Sequence, residues 1–296
     1  MDIRNIKTFV RAAELQSFTK AAAELGYVQS AVTMQIQQLE RELNYPLFDR
    51  IGKKVSLTAL GQEFLTYAYD ILRLVERMKN LDQEPETQQG TLRVGVLESL
   101  LFGVLMELLP EFRRIYKNVN IQLKMGESAE LLQQLKQNQL DLVYISSDLN
   151  TDPDLQCCCK RQEKVIFLCD PTHPAAGRNE ISLKELLDYD LIATEHTGIC
   201  YTRLRQLAAG YNAVIRDSVE VDSTVVVIDM VKKGLGFGFL PEYAVSKQLL
   251  DGSLVKVDVD IPVQTLYSQV LCHKGRWISP FMTGFIDMVK ASGQEM

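Results

Sequence analysis

The sequence predicts an α+β protein of several domains: a winged helix-turn-helix, then one long helix, then a two-lobed α/β domain. Three observations support this architecture. Two short helical patterns meet at a tight turn within residues 17–50, and an apolar repeat with heptad-like spacing runs through residues 58–82. From residue 91 onward, strand and helix patterns alternate, which is typical of parallel α/β structure.

The composition is that of a globular protein with two or three domains. The chain has 296 residues, of which 46% are hydrophobic and 24% are charged, and its net charge is −6. The charge is unevenly distributed: residues 1–60 hold eight basic and six acidic side chains, a net of +2, which leaves −8 for the remainder. We therefore expect contacts with a polyanion to be confined to the N-terminal part.

Three helical patterns fill the N-terminal part. In residues 2–16 a buried stripe is predicted at Ile6, Phe9, Val10 and Ala13. A short alanine-rich helix, Thr19–Leu25, ends at the turn Gly26–Val28, since glycine commonly stops a helix. The third pattern spans Gln29–Leu43. Its apolar residues share one face: Val32, Ile36, Leu39 and Leu43.

The opposite face of the third helix is polar and suits contact with base edges in a DNA groove. The candidate base-contacting residues are Gln29, Ser30, Thr33, Met34 and Gln37. A basic glycine turn follows the helix, and a β-wing there would bring Arg50, Lys53 and Lys54 to the phosphate backbone or the minor groove. A helical hairpin with a solvated polar face is the alternative that this stretch alone leaves open.

The first sixty residues resemble the LysR-type transcriptional regulators in residue order and spacing. The residues that carry the resemblance are Ser17-Phe18-Thr19, Ala21-Ala22, Gln29, Ala31, Gln35-Ile36, Leu39-Glu40, Leu43, Leu47-Phe48, Arg50, Val55, Leu57-Thr58 and Gly61. The family usually has Ser-Gln-Pro where this chain has Val28-Gln29-Ser30, and it often places Arg where this chain has Met34. Valine cannot cap a helix, and losing a serine cap typically costs roughly 1 kcal/mol.

The resemblance implies double-stranded promoter DNA, a small-molecule effector and RNA polymerase as partners. It also implies assembly into a dimer or a dimer of dimers, paired through the long helix of residues 58–82. The predicted dimerisation stripe on that helix is Phe64, Ala68, Ile71, Val75 and Met78, at heptad spacing. An amphipathic helix that packs on its own chain is the alternative. Residues 82–90 are polar, contain Pro and Gly, and fit a hinge linker.

Domain boundaries follow from these patterns. We expect a winged helix-turn-helix over 1–58, a linker helix and hinge over 59–90, and an effector-binding domain over 91–296. The resemblance continues more weakly into the third part, through Leu92–Gly95, Leu109-Pro110, Asp141-Leu142 and the run Val231–Pro241. It implies a fold similar to periplasmic solute-binding proteins, with lobe I at 91–162 plus 269–296 and lobe II at 163–268.

The elements expected in the third part are strands and helices in alternation. Strands are predicted at 92–97, 119–125, 140–145, 165–169, 191–194, 215–221, 235–240 and 264–272, and helices at 100–116, 128–137, 182–187, 201–209, 224–233 and 279–290. We expect the first of these helices to be interrupted near its end by Pro110.

Effector-binding candidates lie in loops that follow strands, where open α/β sheets hold ligands. They are Glu98, Ser99, Ser128, Thr194, Thr197, Gly198, Cys200, Ser223 and Thr224. For each serine or threonine, helix capping alone is the alternative. Helix N-termini favour anions, so we predict an anionic effector, or an amino-acid-like one whose ammonium group would pair with Glu98.

The sequence gives little support for metal-binding, enzymatic or membrane functions. Six cysteines lack paired C-x-x-C spacing, and the three histidines are far apart, so we predict no metal site and no cofactor. Catalytic motifs are missing, and we expect no enzyme. The alternatives kept open are a thiol-based redox sensor using Cys200, and a cytosolic solute-binding or enzymatic α/β protein. Without a secretory signal or a run of ~18 apolar residues, the chain is expected to be cytoplasmic with no membrane partner.

Overall fold

The computed structural model describes residues 1–51, 54–79, 87–178, 180–195, 198–276 and 278–292. The chain forms two compact units, Met1–Glu84 and Pro85–Met296, called here the N-terminal unit and the C-terminal unit. Among the described residues, no helix is both long enough and apolar enough to cross a membrane.

The N-terminal unit begins with three helices: α1 (Ile3–Leu15), α2 (Phe18–Leu25) and α3 (Gln29–Leu43). The Asp2 carboxylate caps α1 by accepting from the Arg4 N–H, and the Ser17 hydroxyl caps α2 by accepting from the Lys20 N–H. Helix α2 ends at Gly26, whose φ of 70° is the left-handed conformation that glycine adopts without strain. That turn delivers the chain to α3.

A two-stranded wing and a long helix complete this unit: β1 (Phe48–Ile51), β2 (Lys54–Leu57) and α4 (Ala59–Lys79). The two strands pair antiparallel, with Phe48 opposite Leu57. The Glu40 carboxylate accepts from the N–H groups of Leu47 and Phe48 at 2.8 and 3.2 Å, which fixes the path from α3 into the wing. The hydroxyl of Thr58 accepts from the Gly61 N–H at 2.9 Å and so caps the start of α4.

The core of the N-terminal unit corrects part of the predicted dimerisation stripe. Phe64 and Ala68 on α4 are buried within a single chain, at 7% and 0% exposure. The Phe64 ring packs on Phe9 of α1 with centroids 5.1 Å apart, and Ile71 packs against the same core. These side chains are committed to their own unit because the first half of α4 lies on α1. Val75 is half-buried, and Met78 is exposed.

The C-terminal unit alternates strands and helices as the sequence predicts. Its strands are β3 (Gly90–Val96), β4 (Val119–Met125), β5 (Leu142–Ser147), β6 (Leu155–Cys169), β7 (Leu191–Ala193), β8 (Asp217–Glu220), β9 (Gly238–Pro241), β10 (Val255–Val257) and β11 (Gln264–His273). Its helices are α5 (Glu98–Leu100), α6 (Met106–Ile115), α7 (Ser128–Lys136), α8 (Leu183–Leu186), α9 (Ile199–Gly210), α10 (Thr224–Lys232), α11 (Glu242–Leu250) and α12 (Pro280–Ala291), with a π-helical turn, Leu101–Leu105, between α5 and α6.

Two long antiparallel strands, β6 and β11, run through both lobes of the C-terminal unit. The main sheet has the order β10-β6-β11-β5-β3-β4, and β9 pairs with β6. Strands β3, β4 and β5 are parallel, as the alternation predicts. Val270 of β11 belongs to a core shared with β3 and α12, whereas Leu266 of the same strand belongs to a core shared with α8 and α9. The first core lies in lobe I and the second in lobe II.

The structure departs from the predicted elements in four places. Strand β6 starts at Leu155, ten residues before the predicted start at Val165. The sequence does not predict these ten residues as a strand because they mix cysteines with charged side chains and lack clear alternation. Helix α11 and strand β10 were not predicted. Helix α6 continues through Pro110, and the irregularity expected there is instead the π-helical turn upstream, where the Met106 N–H donates to the carbonyls of Leu101 and Val104.

Candidate functional site

Helix α3 carries a continuous exposed polar face. The predicted base-contacting residues Gln29, Ser30, Met34 and Gln37 are exposed, and Met34 retains 60% of its surface. Thr33 is half-buried, and its hydroxyl donates to the Gln29 carbonyl at 3.0 Å. Val28 provides no side-chain cap, as predicted from its side chain, so the first N–H groups of α3 are available to an external acceptor such as a phosphate.

The opposite face of α3 is fixed firmly to its unit. Val32, Ile36 and Leu39 have no exposed surface. The Thr8 hydroxyl of α1 donates to the Gln35 side-chain carbonyl at 2.7 Å, which adds a polar tie between the two helices. Because the buried face is fully packed, the exposed face is presented in one orientation, as recognition in a groove requires. Of the wing candidates, Lys53 and the side chains of Arg50 and Lys54 lie outside the described residues.

Glu98 of lobe I binds the N-terminus of α10 in lobe II. Its carboxylate accepts from the Ser223 hydroxyl at 2.9 Å and from the backbone N–H groups of Thr224 and Val225 at 2.5 and 3.4 Å. Ser223 also caps α10 by accepting from the Val226 N–H at 3.3 Å. A helix N-terminus with a serine cap is an anion site, and here the anion is the protein's own side chain.

Next to Glu98, Ser99 reaches Tyr243. The two hydroxyls lie 3.2 Å apart, and Tyr243 is 4% exposed. Burial raises the pKa of Tyr243 well above its usual range, so the phenol stays protonated and able to donate. The structure therefore brings together four of the predicted effector residues, Glu98, Ser99, Ser223 and Thr224.

Sequence patterns did not identify three residues of this region. Tyr243 lies at the start of α11, a helix that the patterns did not predict. Arg203 of α9 and Asp148 after β5 form a second contact between lobes, with the guanidinium nitrogen 2.5 Å from the carboxylate oxygen. A half-buried arginine and an exposed aspartate 55 positions apart give no periodic signal, so only the fold reveals the pair.

The remaining predicted effector residues are more dispersed. Ser128 is the half-buried first residue of α7, outside the hydrogen bonds of the Glu98 group. Gly198 is the N-cap of α9, close to the half-buried Thr194. Thr197 lies outside the described residues.

Cys200, an effector candidate near the start of α9, is a core residue of lobe II. Its side chain is 8% exposed and packs in the apolar core of lobe II with Leu204 and Ala208. Burial raises the pKa of this thiol to about 12, although Arg203 acts in the opposite direction. The thiol is therefore protonated near neutral pH, which disfavours the nucleophilic thiolate that a sensor needs.

A cavity of about 140 Å³ lies between α12 and the middle of β6 and β11. It is lined by Tyr144, Cys159, Lys160, Arg161, Ser268, Val289 and Lys290. Two of these residues donate to the buried Glu163 carboxylate, the Ser268 hydroxyl at 2.5 Å and the Arg161 guanidinium at 2.6 Å. No sequence pattern marks these residues. Over the residues that the structure covers, no cluster of His, Cys, Asp and Glu could hold a metal ion.

The fold and these surfaces define a helix-turn-helix regulator of transcription with a ligand-binding domain. Residues 3–62 match the bacterial regulatory helix-turn-helix protein, lysR family, and residues 85–294 match the LysR substrate binding domain. The chain therefore belongs to the LysR family of DNA-binding transcriptional regulators, as the sequence analysis expected.

Known proteins resemble this chain over nearly its whole length. The uncharacterized HTH-type transcriptional regulator YwqM of Bacillus subtilis is 31% identical over 98% of this chain and 99% of its own. Among solved structures, a full-length OxyR variant from Pseudomonas aeruginosa has a TM-score of 0.76 at 20% identity, covering 100% of this chain and 95% of that one. Full-length CbnR, solved with its target DNA, has a TM-score of 0.63 at 20% identity, covering 99% and 100%.

Proposed function

We propose that this LysR-family regulator binds promoter DNA through the exposed face of α3 and responds to a small polar effector held between the lobes of the C-terminal unit. The observation that carries the effector site is the hydrogen bonding of Glu98 to Ser223 and Thr224, because it joins residues of both lobes at a helix N-terminus. We further propose that the protein acts in the cytoplasm and contacts RNA polymerase at its promoters.

The Glu98 contact suggests which effectors fit. A ligand carboxylate would compete with the Glu98 carboxylate for the N–H groups of Thr224 and Val225. Once displaced, Glu98 would leave a free carboxylate beside the ligand, which favours a ligand that also carries an ammonium group. We therefore propose an organic acid or an amino-acid-like molecule, with Ser99 and the Tyr243 hydroxyl as further polar partners.

Calorimetry with organic acids and amino acids tests this site. Substituting Ser99→Ala removes one hydroxyl partner, and Thr197→Val removes another candidate. Both should weaken binding of a physiological ligand about two- to tenfold, as loss of one hydrogen bond would. Ser128→Ala is the matched control, since Ser128 lies outside the Glu98 group. Unchanged affinity in both Ser99→Ala and Thr197→Val would place the effector elsewhere.

DNA recognition is proposed for Gln29, Ser30, Thr33, Met34 and Gln37, with Arg50, Lys53 and Lys54 at the phosphates or in the minor groove. What supports this is the exposure of the α3 face opposite its packed side. A gel-shift assay on the DNA flanking the coding region tests it. Sequence-specific binding is expected, whereas a solute-binding or enzymatic α/β protein would leave the DNA unshifted.

Dimerisation is proposed through the exposed side of α4. Four large apolar residues there remain exposed in a single chain, Leu60, Tyr67, Leu74 and Met78, at steps of 7, 7 and 4. This spacing matches a seam with a second copy of the same helix. The seam thus shifts from the predicted stripe toward the side of α4 that its own core leaves uncovered, and Met78 belongs to both. Light scattering on the full chain should give the mass of a dimer or a dimer of dimers.

A further inference from the structure

Two cysteines of lobe I face each other across β6 and β11. The sulfur atoms of Cys158 and Cys272 lie 3.2 Å apart, although the residues are 114 positions apart in the sequence. Both thiols are free. Cys272 has no exposed surface and belongs to the lobe I core, and the half-buried Cys158 packs against that same core. Neither was singled out by the sequence, where they are merely two of six cysteines.

A β-bulge places the two sulfurs together. Along the β6–β11 ladder, Val270 pairs with Cys159 and the next residue, Leu271, pairs with Cys157. Cys158 is therefore the extra residue of the bulge. Neighbouring strands lie roughly 4.8 Å apart, inside the range of Cα separations that disulfides span. Closing the sulfurs to bonding distance needs a further approach of only about 1 Å.

We propose that Cys158 and Cys272 form a reversible disulfide when the protein meets a hydroperoxide, which makes this pair an oxidation site. In the first step, the Cys158 sulfur attacks one oxygen of hydrogen peroxide and gives up its proton. An S–O bond forms and the O–O bond breaks, and the departing hydroxide takes up the thiol proton as water. In the second step, Cys272 sulfur attacks the Cys158 sulfenic acid. The S–S bond forms, and the second oxygen leaves as water with the Cys272 proton.

The surroundings assign the two roles. Cys158 is the half-buried sulfur and so the one that a small oxidant reaches, while Cys272 lies behind it. The Cys158 S–H donates to Cys272 Sγ, which lowers the pKa of the Cys272 thiol, raises the pKa of the Cys158 thiol, and favours Cys272 as the resolving sulfur. The other candidates are placed differently: the Cys157 thiol is exposed and directed to the Cys159 carbonyl at 3.3 Å, and Cys169 and Cys200 are buried in lobe II.

The bond would act on the two strands that both lobes share. Because β6 and β11 run from lobe I into lobe II, a covalent tie at the bulge fixes their register where they leave lobe I. It also closes a loop of 114 positions that contains lobe II. Cross-links over long loops restrict the unfolded chain strongly, so oxidation should stabilise the C-terminal unit. This inference is independent of the proposed effector.

The test is thiol counting on the reduced full-length protein before and after hydrogen peroxide. Free thiols are trapped with N-ethylmaleimide under denaturing conditions and counted by intact mass. We expect the count to fall by two from the six in the sequence, with a mass loss of about 2 Da before trapping. Tryptic digestion should join peptides 137–160 and 257–274. Dithiothreitol should restore all the thiols.

Single variants identify the sulfurs. Cys158→Ser and Cys272→Ser should each abolish the joined peptides, whereas the matched variants Cys157→Ser and Cys159→Ser should retain them. Oxidation should raise the midpoint temperature of thermal unfolding of the wild type by roughly 5–10 °C, and reduction should restore the original midpoint. This measurement tests the proposal even if Cys272→Ser fails to fold. Persistence of the joined peptides in Cys158→Ser, a disulfide-linked dimer through Cys157 as first product, or an unchanged thiol count would each overturn it.

Discussion

The N-terminal unit presents its functional surface on a single helix, whereas the C-terminal unit assembles its site from distant segments. The candidate base-contacting residues of α3 span nine positions, from Gln29 to Gln37. In contrast, Glu98 and Ser223 are 125 positions apart and meet only because the α/β fold places two helix ends together. A site on one helix depends on that helix being fixed to its core, and a site between lobes depends on how the lobes meet. Substitutions in the two units should therefore impair stability and binding in different ways.

The largest expected effect concerns what holds lobe I together. Asp141 and Arg276 form a buried ion pair, with 5% and 3% of their side chains exposed. Asp141 also accepts from the Arg93 N–H at 2.7 Å. Asp141→Asn leaves a buried guanidinium without its charge partner, which should cost about 3–5 kcal/mol of unfolding free energy. Chemical denaturation of the full chain should show a lower midpoint for the C-terminal unit only.

The matched control for that variant is Glu111→Gln, which breaks the exposed pair of Glu111 with Arg114 on α6. Exposed pairs contribute little, so its unfolding midpoint should stay at the wild-type value. Sequence-specific DNA binding by the N-terminal unit should survive in both variants, measured below the temperature at which Asp141→Asn unfolds. A simultaneous loss of both transitions in Asp141→Asn would show that the two units do not unfold separately.

The second effect sharpens the role of α4. Leu74→Asp places a charge on the exposed apolar side of the helix, where Leu74 is 51% exposed in a single chain. If a second copy covers this side, the unpaired charge should cost roughly 2–4 kcal/mol of association free energy. Light scattering across a dilution series measures the change. Gln62→Asp is the control, since it adds the same charge at an exposed position on another side of α4. Retention of wild-type mass by Leu74→Asp would remove α4 as the seam.

The third effect separates base contacts from phosphate contacts in the N-terminal unit. Gln29→Ala should weaken specific sites by about 1–3 kcal/mol, the value of one good bidentate base contact, and leave nonspecific DNA unaffected. Lys53→Ala should weaken all sequences alike and reduce the salt dependence by about one unit of slope. Gln38→Ala, at an exposed position outside the proposed contacts, is the control. Titrations at several salt concentrations distinguish the two behaviours, and wild-type values for both variants would refute the assignment.

The same contrast explains how far the sequence predicts the structure. The sequence predicts α3 over Gln29–Leu43, and the structure has it there, because helix periodicity is a local signal and the turn at Gly26–Val28 precedes its start. The first ten residues of β6 were missed, since cysteines and charged residues there give no alternation. The candidate effector residues were chosen for their places at strand ends, yet the binding of the Glu98 carboxylate to α10 was not foreseen. Such contacts, like that of Cys158 with Cys272, depend on long-range packing that no local pattern encodes.

The burial of Cys200 shows a further limit of local signals. Its position near the start of α9 suggested a stabilised thiolate, because helix N-termini favour negative charge. The structure places the side chain in the apolar core of lobe II, where desolvation raises the pKa of the thiol instead. Proximity to a helix end is visible in a sequence, but the direction of the side chain relative to the core depends on neighbouring elements.

The smallest expected effect tests the link between lobes directly. Glu98→Gln keeps the shape of the side chain and replaces a charged acceptor of three hydrogen bonds by a neutral one. Charge-assisted bonds are stronger than neutral ones, so the contact with α10 should weaken by about 0.5–1.5 kcal/mol. The matched control is Glu127→Gln, which removes the same charge at the start of α7, where the Glu127 side chain makes no capping bond.

The sign of the binding change makes this variant informative. If an effector carboxylate displaces Glu98 from α10, the neutral side chain is a weaker competitor, and plain organic acids should bind about two- to tenfold more tightly than to wild type. An amino-acid-like effector loses the carboxylate that would pair with its ammonium group, so its affinity should fall instead. Calorimetry with one ligand of each kind separates the two cases. If neither ligand changes its affinity between wild type and Glu98→Gln, the Glu98 carboxylate joins the lobes and takes no part in effector binding.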